Sequence, residues 1–281
     1  MSGLVFAAIA PHGSLAIPEA CSAKERGLAT ATQDAMAELG RRFAAARPDA
    51  TIIVTPHNVH VEGAMAVVTA GHLAGSLSDW TDEKIELRCP TDRTLARATI
   101  DALNAANIPA VGISYGGNDA AGATAPMDWG VLIPLWFMGG RSEPQVPVVV
   151  ISPSRDMSPA DHVRAGKALA AMATDSGKRV AMIASSDHGH AHLADGPYGF
   201  DPAAAEYDGR VADLIKANHL TGLIEIDPAL VGRAKADSYW QMLMLSGAIG
   251  DRWQGEFLSY EAPTYFGMLC AAYAPPREGK N

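Results

Sequence analysis

Apolar runs at residues 4–10, 51–55, 148–151 and 180–184 constrain the fold most strongly. Each is continuous rather than alternating, as expected for a strand covered on both faces. Residues 51–55 read T-I-I-V-T, rich in β-branched side chains that favour extended backbone. Between the runs lie segments with helical periodicity. Residues 29–46 repeat apolar positions at Met36, Leu39 and Phe43 and stop before Pro48. Residues 92–106, 159–176, 203–218 and 237–249 also read as helices, with Ser158 placed to cap the third segment before Pro159. Residues 64–69 and 110–114 add strands, 131–138 a helix buried in the core, and 116–125 a loop rich in Gly, Ala, Asn and Asp. Strands alternating with helices predict an α/β fold: a mostly parallel or mixed central sheet with helices on both faces. No repeat or low-complexity linker divides the chain, so residues 1–281 read as a single domain. Excursions are expected around 71–73 and 116–125.

Composition narrows the function classes. Of 281 residues, 48 % are hydrophobic, enough for a sizeable core. The net charge is −9 and no basic run appears, which argues against a nucleic-acid or anionic-membrane surface. Cys21, Cys89 and Cys270 are far apart and odd in number, which favours a reducing compartment over a disulfide framework. The first apolar run lacks a basic flank and ends at Pro11-His12, so it reads as a strand rather than a signal peptide. No apolar run is long enough to span a bilayer. The expected location is the cytoplasm.

Three segments share one pattern. The run 4–10 leads into Pro11-His12-Gly13, and 51–55 into Pro56-His57-Asn58-Val59-His60. The run 180–184 leads into Ser185-Ser186-Asp187-His188-Gly189-His190. Ligands of open α/β sheets bind outside the carboxyl ends of strands. A lone histidine after a strand is more often a loop residue than a ligand; three at equivalent places shift that balance. Imidazole suits Fe, Zn, Cu and Ni, and two histidines are commonly completed by a carboxylate. Candidates are Asp128, Asp187, Asp201, Asp208, Glu225 and Asp237. Asp237 has the best position, at a helix start, where its alternative role is an N-cap. His188, His190 and His192 alternate, so in an extended stretch they share a face and one of them is the catalytic group. His60 is placed to shape the pocket. His72, His162 and His219 lack partners.

The stretches APHGSLAIPE (10–19), TPHNVH (55–60), MDWGVLIPL (127–135), SSDHGHAH (185–192), GPYGFDP (196–202), SYWQMLMLSGAIG (238–250) and SYEAPTYFG (259–267) occur in order along the chain. In this the chain resembles the class III extradiol ring-cleaving dioxygenases, the superfamily of the protocatechuate 4,5-dioxygenase catalytic subunit. The resemblance implies a non-haem Fe(II) held by His12, His57 and a carboxylate, with His190 as acid–base. It implies a catechol or 2-aminophenol substrate opened with O2. Two departures stand out: Asp237 is the nearest carboxylate to the family's usual Glu ligand, and Asp128-Trp129-Gly130 stands where many members carry Asp-His-Gly. Trp129, Tyr198 and His188 are expected around the substrate. A homo-oligomer is expected, with a small accessory subunit as a further partner. The competing readings are a Zn-dependent hydrolase on the same fold and a non-catalytic binding or partner subunit.

Overall fold

The apolar runs form the centre of one sheet in the computed structural model, which describes residues 2–116 and 119–276. Residues 117 and 118 of the expected loop lie outside the described residues. Strands β1 (Gly3–Ala10), β2 (Ala50–Val54), β3 (Met65–Val68), β6 (Ala110–Ile113), β8 (Val148–Ser152), β9 (Arg179–Ser185), β10 (Gln254–Glu261) and β11 (Met268–Ala274) pair in the order β10-β11-β1-β9-β2-β8-β3-β6. The central four, β1, β9, β2 and β8, are mutually parallel. β11 joins β1 antiparallel and β3 joins β8 antiparallel, so the sheet is mixed. A second sheet orders β5 (Glu86–Pro90), β4 (His72–Ser76) and β7 (Thr124–Pro126). Its strands β4 and β7 take up residues 72–73 of the first expected excursion and 124–125 of the second.

Helices α1 (Thr30–Ala46), α2 (Arg93–Ala105), α3 (Trp129–Phe137), α4 (Pro159–Asp175), α5 (Ala203–Lys216), α6 (Pro228–Ala234) and α7 (Tyr239–Ile249) complete the fold. Ala7, Ile9, Ile52, Val54 and Met182 point to one face, packed with Leu95, Leu169, Val211 and Leu243 of α2, α4, α5 and α7. Their neighbours Phe6, Ala8, Ile53 and Ile183 point to the other, against Met36 and Phe43 of α1 and Leu132 of α3. Period-two alternation with both sides covered explains why the runs contain no polar gaps. Ser158 caps α4 as expected, its side chain accepting from the Asp161 N–H in a capping box.

Helix α7 is buried nearly all round. It packs so closely on α4 that a Cβ added at Gly166 would lie 1.9 Å from the Met244 carbonyl oxygen. Backbone cannot yield there as a side chain can. Gly166→Ala is expected to lower stability by about 1–3 kcal/mol, the usual cost of overpacking. Because α7 follows directly from Asp237, the same variant should also weaken metal uptake. Chemical denaturation and a metal titration check the two effects separately. Among the described residues, no helix is long and apolar enough to cross a membrane.

Candidate metal centre

The adjacent parallel strands β1, β9 and β2 end on one edge of the sheet. His12 follows β1, Asp187, His188 and His190 follow β9, and His57 follows β2. Three sequence-distant segments therefore meet at one place, as the strand-end rule requires. Asp237 arrives from the opposite direction. Helix α6 ends at Lys235 in left-handed backbone (φ 54°), which turns the chain toward the sheet. Helix α7 then fixes the following residues: the Gln241 amide donates to the Ser185 carbonyl at 2.9 Å. Ser238 Oγ lies 2.9 Å from the Tyr207 hydroxyl and 3.3 Å from His188 Nδ1.

His12 Nε2 and His57 Nε2 are 3.0 Å apart. Asp237 Oδ2 lies 3.3 Å from the first and 3.1 Å from the second. One donor atom from each residue falls within 4.8 Å of the others. Asp237 does not cap α7: Ser238 holds the N-cap position, with no side-chain cap bond. The Asp237 Oδ1 atom is buried and accepts no hydrogen bond. A buried carboxylate oxygen without a donor is costly, and a cation satisfies it. Two imidazoles and a carboxylate are also a donor set suited to a divalent transition metal.

The hydrogen bonds behind the histidines prepare them for ligation. Ser185 Oγ donates to the Gly130 carbonyl, so toward His12 Nδ1, at 2.9 Å, it acts as acceptor. His12 therefore carries a proton on Nδ1 and aims Nε2 into the cluster, the outer-shell orientation common for ligating histidines. The Asp187 carboxylate accepts the His12 backbone N–H at 3.0 Å, with its other oxygen 3.5 Å from Nε2. Asp187 thus braces His12 from outside the three-residue cluster. Trp129 packs on the His57 ring at 4.5 Å and on Trp80 at 5.2 Å.

The charges of the metal-free cluster are mutually dependent. Burial disfavours a charged His12, but the Asp187 and Asp237 carboxylates outweigh it and raise its pKa to about 9. Burial likewise disfavours ionised Asp237, yet His12 and His57 hold it well below the usual carboxylate range. At neutral pH an extra proton therefore occupies the place a metal ion would take. Metal entry must release it, so affinity is expected to rise with pH through about 9, above which His12 is deprotonated in the metal-free form. Titrating metal into stripped protein at several pH values, with proton release measured alongside, checks the sign.

A family model described as "Catalytic LigB subunit of aromatic ring-opening dioxygenase" matches residues 6–269. The chain belongs to this family. It is 24 % identical over 252 residues to Protein CA_C1420 of Clostridium acetobutylicum, covering 89 % of this chain and 53 % of that one. It thus spans about half the length of that curated relative. Its fold is similar to that of the uncharacterized protein JW3007 from Escherichia coli K12, with a TM-score of 0.61 and 18 % identity over 95 % of this chain and 99 % of that chain.

Two recesses flank the cluster of this LigB-family chain. One is a cleft of about 700 Å³ lined by His57, His60, His190, Tyr198 and Asp237 together with Arg155, Lys235 and Trp240. The other, about 370 Å³, is lined by His12, His57, Asp187 and His190 and walled by the aromatic rings of Trp80, Trp129, Tyr198, Tyr265 and Phe266. His190 borders both. Its Nδ1 lies 2.8 Å from the His188 carbonyl, which accepts only, so Nδ1 carries the proton and Nε2 is the free position. Phe266 stacks on the ring at 5.5 Å.

His60, Trp129 and Tyr198 line the recesses. His188 does not. It is 0 % exposed and lines neither recess, and burial lowers its pKa. The shared-face reading of His188, His190 and His192 fails because residues 186–192 form irregular backbone with isolated bridges rather than a strand. His192 instead pairs with Asp208 at 2.9 Å. That carboxylate also accepts from the Gly189 N–H and the Tyr260 hydroxyl, so Asp208 fixes the histidine loop and lies outside the ligand cluster. Asp128 caps α3, and Asp201 pairs with Arg233. Ser185, Trp80, Tyr265, Arg155 and Lys235 were missed as individual residues. Ser185, and Tyr265 with Phe266, lay within family-like stretches, but no local signal marked their roles.

Proposed function

We propose that this chain is an Fe(II)-dependent extradiol dioxygenase that opens the ring of a catechol-type or 2-aminophenol-type aromatic with O2. The observation that carries the reading is the cluster of two histidine nitrogens and one carboxylate beside His190, whose Nε2 is free. His12, His57 and Asp237 would hold the metal. When bound, it supplies a Lewis acid and a template that brings the aromatic and O2 together. This donor set suits non-haem iron that leaves positions open for both reactants.

The protein's own groups do the rest. Asp187 and Ser185 hold His12 in the ligating tautomer. Aromatic walls at Trp129, Tyr265 and Phe266 exclude water and provide faces for a flat ring. His190 Nε2 accepts a proton from the substrate hydroxyl and later returns it to the departing oxygen, with the His188 carbonyl keeping the ring oriented. A reducing, cytoplasmic setting accords with three free cysteines and with iron kept ferrous.

Oxygen uptake by anaerobically iron-loaded protein, given a panel of catechols, gallates and aminophenols, tests the reaction. Consumption of O2 with the appearance of a ring-opened chromophore supports it. Stoichiometric binding of zinc with no oxygen uptake in the iron-loaded form would instead favour a hydrolase.

A further inference from the structure

Asp208, on α5, stands outside the metal cluster, and the chemistry described so far makes no direct use of it. It is 1 % exposed. A carboxylate so buried is costly unless hydrogen bonds satisfy it. Its Oδ2 accepts the Tyr260 hydroxyl at 2.7 Å and faces His192 Nε2 at 2.9 Å. Its Oδ1 accepts the Gly189 N–H at 2.7 Å. That N–H belongs to the same planar, trans peptide group as the His188 carbonyl, so the two point in opposite directions. The carbonyl accepts the His190 Nδ1–H at 2.8 Å. A continuous line of bonds therefore runs from a buried anion, through a single peptide, to the ring whose Nε2 is free. Two glycines make the close approach possible. A Cβ at Gly189 would lie 2.9 Å from Ala204 Cα, and one at Gly267 would lie 2.1 Å from Asp208 Oδ2. The next peptide is held as well, by the His190 N–H donating to the Ala234 carbonyl at 2.8 Å.

We propose that Asp208 is a positioning residue for His190 and acts on it through the His188–Gly189 peptide. This rests on the dioxygenase reading for the proton that His190 moves. The carboxylate has two effects. It fixes the peptide plane, so the His188 carbonyl keeps the His190 ring in one orientation with its proton on Nδ1. It also polarises the peptide. An anion at the N–H end draws electron density toward the carbonyl oxygen and strengthens the bond to Nδ1–H. An imidazole so held is a better base at Nε2, and the positive charge it gains on taking a proton is stabilised. A carboxylate bonded directly to a catalytic imidazole has the same two effects; here one peptide is interposed.

Two substitutions separate position from charge. Asp208→Asn is isosteric and keeps an acceptor for the Gly189 N–H but removes the charge; Asp208→Ala removes both. In iron-loaded protein, Asp208→Asn is expected to lower kcat by about three- to tenfold, because a neutral hydrogen bond is about half as strong as a charge-assisted one. Asp208→Ala should lower it by about 10²-fold, the scale of loss when a reacting group shifts by about an ångström. KM and iron content should match the parent in both, since Asp208 lines neither recess and lies outside the ligand cluster. Circular dichroism checks the fold. A second readout needs neither metal nor turnover. In metal-free protein carrying isotope-labelled histidine, the His190 Nδ1 proton resonance should move upfield in Asp208→Asn as its bond weakens. Unchanged kcat in Asp208→Asn, a loss expressed in KM or iron content instead, or an unmoved His190 resonance would overturn the assignment. Absence of oxygen uptake by the iron-loaded parent would defeat the dioxygenase reading, and the resonance alone would then decide whether Asp208 acts on His190.

Discussion

His12→Ala is expected to strip the protein of its metal. The residue supplies Nε2 at the meeting point of His57 and Asp237, with 1 % exposure, so no water-borne ligand takes its place without rearrangement. Loss of an outer-shell partner alone typically costs 10–100-fold in metal affinity, so loss of a ligand should cost more than about 100-fold. A second effect is separable. In the metal-free protein His12 is the buried cationic partner of Asp187 and Asp237. Removing it leaves two buried carboxylates facing each other, a change of about 3–5 kcal/mol when a buried pair is broken. His57→Ala keeps the metal result independent of folding, since His57 is about a quarter exposed. Both variants should lose metal, and His12→Ala should be the less stable of the two by thermal melting. Full metal occupancy in either would remove that residue from the ligand set.

His190→Ala is expected to separate binding from chemistry. His190 lies outside the cluster of converging donors, so metal content should match the parent protein. Turnover should fall by about 10²–10⁴, the usual contribution of a positioned acid–base group. Its Nδ1 contact with the His188 carbonyl means that Gln at this position can keep the bond but not carry the proton. His190→Gln should therefore be as inactive as His190→Ala. Single-turnover kinetics with metal-loaded protein read both effects. Undiminished ring opening in either variant would end the acid–base role.

The legible parts of the fold are those where one physical signal dominates. Strands β1, β2, β8 and β9 are covered on both faces, so hydrophobicity alone marked them. The hairpin of β4 and β5 did not announce itself, because His72–Ser76 and Glu86–Pro90 carry small or charged residues and are only partly buried. Strand β10 mixes exposed and buried positions, and β11 is rich in alanine, which favours strand weakly. Helix α6, of 7 residues, is too short for periodicity to reveal.

The site follows the same logic. His12 and His57 were readable because each follows a Pro at a strand end. Asp237 was not separable from an N-cap until the direction of its side chain was known; the choice rests on long-range packing of α7 against β9. His188 misled because alternation assumes regular extended backbone, which the segment after β9 lacks. Arg155, Lys235 and Trp80 come from three separate connections, and only the folded chain brings them to the rim of the recesses.

The central claim is that His12, His57 and Asp237 form one metal site that serves ring opening. Anaerobic Fe(II) titration of the parent protein beside Asp237→Ala tests it most directly. Stoichiometric, tight Fe(II) binding by the parent and its loss in the variant is the predicted result. Unchanged Fe(II) binding in Asp237→Ala, or no Fe(II) binding by the parent protein, would contradict it.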